Sequence, residues 1–154
     1  MLWHQDSHYL GADTASQLLV SVWIPLVDTD TANGCMQVIP ASHGWGLVAA
    51  EMDPDHQAWR PLEDPTLRGT PLSCEMSVGD VLMFTNLTVH RSLPNVSDHT
   101  RWSIDVRYHA TGLTPERGAS DLPGFVARSR SLPGDEDTYP SWYERYVESG
   151  VHTE

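Results

Sequence analysis

His4 and Asp6 are separated by one residue. On an extended strand, positions i and i+2 point the same way, so this imidazole and carboxylate can share one metal ion. Alone, the pair is a weak signal in a chain with 8 His and 21 acidic residues, and two solvated polar side chains are the plainer alternative. His90 adds a third candidate ligand. It ends the apolar run Val81 to Val89 and precedes Arg91-Ser92-Leu93-Pro94-Asn95; its plainer alternative is a satisfied core histidine. Two histidines and one carboxylate leave the other octahedral positions free, the arrangement used by non-haem Fe(II) that must also bind a cosubstrate and O2. Arg101 opens a strand whose alternate face is polar. A buried guanidinium needs an anionic partner. A small carboxylate matches its planar fork, and Asp105, two positions on, is the competing partner.

The elements that must position these residues read as short strands. Gln17 to Val27 is a buried strand, rich in Leu, Val, Ile and Trp. Asp28 to Gly34 is a turn cluster in which Asn33-Gly34 predicts a hairpin, with Cys35 to Ile39 as the returning strand. Ala41 to Gly69 reads as a long functional loop, within which 45–68 is a plausible lid. Pro71 to Met76 is a short strand, Val78-Gly79-Asp80 a turn, and Val81 to His90 a further strand. Arg101 to His109 alternates: Trp102, Ile104, Val106 and Tyr108 share one face, and Arg101, Ser103, Asp105, Arg107 and His109 the other. The chain is loop-like from Gly112 to Pro140, after which Ser141 to Glu148 predicts a short helix with Ser141 as N-cap. Short strands with little helical period imply an all-β sandwich or barrel.

Composition narrows the partners. Nine basic residues, all Arg, against 21 acidic residues leave a formal charge of −12 over 154 residues. Such a surface repels phosphate backbones and anionic lipid, which argues against nucleic-acid binding and membrane docking. Cys35 and Cys74 make no disulfide framework and suit a reducing, cytoplasmic compartment. No apolar stretch is long enough to span a bilayer, and no signal peptide is visible.

Trp3-His4-Gln5-Asp6-Ser7-His8-Tyr9 and the stretch Asn33 to His43 (NGCMQVIPASH) closely resemble the phytanoyl-CoA dioxygenase family. So do Gly79-Asp80-Val81, His90-Arg91-Ser92-Leu93-Pro94-Asn95 and Arg101…Arg107-Tyr108. The resemblance runs from Trp3 to about Tyr108 and weakens beyond Gly112. It implies a double-stranded β-helix, a cupin-like jelly-roll barrel, that uses Fe(II), 2-oxoglutarate and O2. His4, Asp6 and His90 would be the iron ligands. Arg101 would hold the distal carboxylate of 2-oxoglutarate, with Ser92 and Trp23 helping to seat it. His43 is assigned a structural role. Two positions depart from the family pattern. Ala41 stands where Gly is usual, harmless if its φ is negative, and Arg91 stands where a small residue is usual, a cation at the site rim or one turned to solvent.

The reaction implied is hydroxylation of a C–H bond of a small molecule with release of succinate and CO2. Retention of Asp6 favours hydroxylation, because halogenating relatives replace this carboxylate. The charge balance makes a CoA thioester a poor expected substrate and a neutral or zwitterionic small molecule a better one. Residues 1–111 are expected to be the metal-bearing core, without the first strand and N-terminal helices of the family pattern. Residues 112–154 are expected to form a loop-rich flap of the same domain. A partner chain or second protomer would then complete the barrel. The competing readings are a non-catalytic fragment or pseudoenzyme of the family, and a cupin-like metal protein that does not use 2-oxoglutarate.

Overall fold

The computed structural model describes residues 1–110 and 125–144. The strands in chain order are β1 (Leu19–Pro25), β2 (Met36–Val38), β3 (Ala50–Asp53), β4 (Ala58–Pro61), β5 (Leu72–Cys74), β6 (Leu82–Thr85), β7 (His90–Ser92) and β8 (Ser103–His109). The helices are α1 (Ser7–Leu10) and α2 (Tyr139–Tyr143). The protein is mainly β, as its short, turn-punctuated apolar runs imply. Two antiparallel three-stranded sheets carry the site, one in the order β6-β1-β8 and the other β5-β2-β7, while β3 and β4 pair as a separate hairpin. Among the described residues the sheets do not close into a barrel.

β1 alternates between fully buried Leu19, Ser21, Trp23 and Pro25 and half-buried residues between them, as a central strand with one face on the core should. Its register sets Ser21 opposite both Phe84 and Arg107, and Trp23 opposite Asp105. The polar face of β8 is therefore the inward one. Trp102, Ile104 and Tyr108 point outward and are exposed. In the second sheet Val38 lies opposite His90, and Met36 opposite Ser92. Leu19, Trp23, Cys35, Met36, Val38, Ile39 and Val89 form the apolar core.

Several sequence expectations need correction. Asn33-Gly34 does not close a hairpin, because β6 and β8 already occupy both edges of β1. The turn cluster instead carries the chain from one sheet to the other. Asp30 Oδ1 accepts from the amides of Ala32 and Asn33, each at 2.8 Å. Gly34 sits at φ 89°, with an added Cβ falling 2.8 Å from the Leu93 carbonyl oxygen, so both its conformation and its space exclude a side chain.

The run Val81 to His90 is two strands rather than one. Asn86 breaks it, and β6 and β7 belong to different sheets. The buried Asn86 amide donates to Ser7 Oγ (2.8 Å) and to the Thr14 carbonyl (2.7 Å) and accepts from the Leu19 amide (3.3 Å). Those bonds replace a sheet ladder at the corner.

The stretch Ala41 to Gly69 is not structureless. It holds the β3–β4 hairpin and two 3-10 turns, Ser42–Trp45 and Pro65–Leu67. Ala41 adopts φ 63°, ψ 4°, the left-handed conformation that favours glycine and not the negative φ expected. The C-terminal helix begins before Ser141. Thr138 is its N-cap and Ser141 is the N3 partner in a capping box, because Pro140 suits the first turn. The rest of the expected helix, Arg145 to Glu148, lies outside the described residues, as do 111–124.

Candidate metal centre

His4 forms an isolated antiparallel bridge with His90, extending the β7 edge by one residue. The chain then leaves the extended state. Asp6 has φ −58°, ψ −30° and begins α1, so the pair does not sit on a straight strand as expected. Gln5, between them, is fully buried and turned the other way. Its side chain donates to the carbonyls of Gly46 (2.9 Å) and Leu87 (2.6 Å) and accepts from the Val48 amide (2.8 Å). These three bonds anchor the turn that brings Asp6 back beside His4.

The three side chains meet between the sheets. His4 Nε2 is 4.0 Å and His90 Nε2 3.7 Å from Asp6 Oδ1. All three residues are buried, and one ligand atom from each lies within 4.8 Å of the others. Each imidazole is oriented from behind: His4 Nδ1 donates to the Leu2 carbonyl at 2.9 Å and His90 Nδ1 to the Thr88 carbonyl at 2.8 Å. A carbonyl only accepts, so the proton is on Nδ1 and the Nε2 lone pair faces the cluster. Burial, then the neighbouring His90, lowers the His4 pKa from 6.5 to about 4, and burial lowers His90 too. Both rings are neutral near pH 7. Burial pushes Asp6 upward, but His90, Arg107 and the Ser21 hydroxyl outweigh it and hold the carboxyl below its usual range. Two neutral imidazoles and an ionised carboxylate with facing lone pairs are the donor set a divalent cation needs.

Two residues given no role from the sequence complete the surroundings of Asp6. Ser21 of β1 donates a short hydrogen bond to Oδ2. Arg107 of β8 reaches Oδ2 through Nε and Oδ1 through Nη2, each at 3.3 Å, and pairs with Asp105 at 3.0 Å. For Arg107 the signals in the sequence were its place on the polar face of an alternating strand and in the motif that resembles the family; Ser21 had none beyond being a polar residue within an apolar run. Asp105 is thus taken by Arg107, not by Arg101 as the competing reading had it. Arg101 Nη1 donates to Ser103 Oγ at 3.0 Å, and its guanidinium stands 5.3 Å from the Trp23 ring. Among the described residues no carboxylate lies within ion-pair distance of Arg101. Ser92 projects on the same side of β7 as His90, with its hydroxyl on Met36 Sδ at 3.2 Å.

Other polar and charged residues fall elsewhere. Arg91 points away from the cluster: it stacks on Trp3 at 4.4 Å and donates to Gln37 Oε1 at 2.9 Å. His8 bonds the Val48 carbonyl (3.0 Å) and stacks on Trp59, while Tyr9 Oη accepts from the Trp59 amide (3.0 Å), so both pack the β3–β4 hairpin. His43 is exposed and outside the ligand cluster; its neighbour Ser42 is buried and accepts from the Val89 amide at 2.8 Å. Cys35 and Cys74 are free thiols. Arg128 and Arg130 line a shallow cavity with Ser129, Pro133 and Glu136, none of them a residue of the metal cluster.

The model of the phytanoyl-CoA dioxygenase (PhyH) family matches residues 1–103. The chain belongs to this family. Its oxygenases are non-haem enzymes that depend on Fe(II), 2-oxoglutarate and O2, and the His4, Asp6 and His90 donor set fits such a metal. Among curated relatives, a phytanoyl-CoA dioxygenase of Arabidopsis thaliana is 30% identical over 64% of this chain and 34% of its own length. A 1-deoxypentalenic acid 11-beta-hydroxylase of Streptomyces exfoliatus is 33% identical over 84% of this chain and 51% of its own. The non-heme monooxygenase ThoJ, in its apo form, superposes with a TM-score of 0.68 at 24% identity, covering 97% of this chain and 56% of that one. EvdO2 from Micromonospora carbonacea var. aurantiaca complexed with 2-oxoglutarate gives 0.55 at 21% identity, covering 75% and 48%. The chain thus spans about a third to a half of the length of the curated relatives it matches. These solved structures share the fold. Among the described residues no helix is long and apolar enough to cross a membrane.

Proposed function

We propose that this chain carries the metal-bearing part of a non-haem Fe(II)- and 2-oxoglutarate-dependent oxygenase that hydroxylates a C–H bond of a small molecule. The carrying observation is the convergence of His4 Nε2, His90 Nε2 and Asp6 Oδ1, with both Nδ1 atoms tied to backbone carbonyls. These three residues would hold the iron, which supplies O2 activation when bound. The balance of the reaction is 2-oxoglutarate, O2 and R–H giving succinate, CO2 and R–OH.

Arg101 is the residue assigned to the distal carboxylate of 2-oxoglutarate. Its guanidinium rests over Trp23 and bonds Ser103 through Nη1, and among the described residues no carboxylate is paired to it, so the fork can take one. Trp23 supplies a buried wall, and Ser92 a hydroxyl from the strand that also bears His90. Residues 1–111 act as the core in this reading and 112–154 as a flap on it. The substrate is a small molecule rather than a CoA thioester, because a chain of charge −12 without Lys is a poor host for several phosphate charges. A cytoplasmic setting suits its two free thiols.

The test is anaerobic addition of Fe(II) and 2-oxoglutarate to the full chain. A visible charge-transfer band, followed on aeration by succinate formation that disappears in His90→Ala, is the expected result. Metal binding without that band, and no succinate with any substrate offered, would favour a cupin-like metal protein or a non-catalytic member of the family.

A further inference from the structure

We propose that Arg107 is a positioning residue that holds Asp6 to a single-oxygen contact with the metal. This rests on the metal reading above. A cation that chelates a carboxylate must occupy the edge shared by its two oxygens. In this protein that edge is taken. Arg107 presents Nε to Oδ2 and Nη2 to Oδ1, both at 3.3 Å, the two-pronged approach of a guanidinium fork. Ser21 Oγ donates to Oδ2 from β1, directly opposite Arg107 in the register. Asp105 Oδ2 holds the same Nη2 at 3.0 Å, so this nitrogen is shared between the two carboxylates. Oδ1, which carries the Arg107 bond but not the Ser21 one, is the oxygen that faces His4 Nε2 and His90 Nε2.

The consequence lies in the number of positions left open. A one-oxygen Asp6 uses three positions with the two histidines. Were the carboxylate free to swing its second oxygen inward, it would use a fourth and compete with a chelating keto acid. Arg107 thus guards the cosubstrate's place without touching it. Charge alone does not account for this role. A cation beside a metal site weakens metal binding by repulsion, so removing it should leave metal affinity unchanged or improved. Loss of the fork should show instead in 2-oxoglutarate affinity.

The experiment titrates Mn(II) into the full-length apo protein, and then 2-oxoglutarate into the Mn(II)-loaded protein, by calorimetry. Wild type is compared with Arg107→Lys, which keeps the charge but cannot cover both oxygens, and Arg107→Met, which removes both. Both variants are expected to bind Mn(II) at least as tightly as wild type to within about threefold, and 2-oxoglutarate roughly tenfold or more weakly. Unchanged 2-oxoglutarate affinity in both variants overturns the proposal. So does a joint fall in metal affinity, 2-oxoglutarate affinity and melting temperature, which marks a merely structural ion pair. If Arg107→Met does not fold, Arg107→Lys decides alone. Failure of wild type itself to bind Mn(II) overturns the metal reading and this inference with it, an outcome distinct from the other two.

Discussion

The backbones of His4 and His90 bond to each other twice: each amide donates to the other's carbonyl oxygen at 3.0 Å. Two candidate ligands from opposite ends of the core are therefore fixed by main-chain geometry before any metal arrives. Replacing one imidazole should remove metal binding while sparing the pairing. His4→Ala and His90→Ala are each expected to keep the wild-type circular dichroism spectrum. Each should also lose the rise in melting temperature produced by Mn(II), worth about 2.7 kcal/mol at a metal concentration of 100 times Kd. A variant that still gains stability from the metal would remove that histidine from the ligand set.

Chelator-treated protein should be destabilised by mild acid. His4 protonates near 4 in the fold against 6.5 for an ordinary imidazole, because it is buried and beside His90. Between those values the unfolded chain binds a proton that the folded chain refuses, so stability falls as pH drops from about 6.5 toward 4. His90 adds to the same trend, since burial lowers it as well. Thermal melts from pH 7.5 to 4.5 should show the decline, and excess Mn(II) should raise stability at pH 6 without flattening it, because the folded imidazoles are already unprotonated there.

Gln5→Leu keeps most of the volume but strands two carbonyls and an amide that the glutamine now satisfies. The cost is expected to be about 2–4 kcal/mol in urea unfolding. Metal affinity should fall as well, because the same side chain anchors the turn between His4 and Asp6.

Ala41→Gly should stabilise the protein. Relief of a left-handed alanine gains about 1–2 kcal/mol, and the looser unfolded chain returns about 0.4–1 of it. A net gain of about 0.5–1 kcal/mol is therefore expected, read from the denaturation midpoint, with metal affinity unchanged.

Arg101→Gln should raise the 2-oxoglutarate concentration needed for half-saturation by roughly 10–100-fold, the range of a lost charge-assisted pair. Mn(II) affinity should not move, since Arg101 bonds Ser103 and not the metal cluster. Equal weakening of both would remove it from the cosubstrate site.

The local chemistry was legible in the residues themselves. The short apolar runs specified a β protein, and β1 and β8 fall within the segments whose burial or alternation marked them. His4, Asp6 and His90 were identifiable because few residue types bind a divalent metal, and family resemblance supplied the order in which they occur. What the sequence could not decide was which strand lies beside which. A strand's pattern states that one face is buried but not which neighbour pairs with its edge. Asn33-Gly34 therefore looked like a hairpin, although β1 and β2 belong to different sheets, and one apolar run concealed a corner at Asn86. The same limit concealed Ser21 and Arg107. Ser21 was a polar residue within an apolar run and Arg107 one of the polar face of an alternating strand, and only the register that sets them opposite each other brings both onto the Asp6 carboxylate.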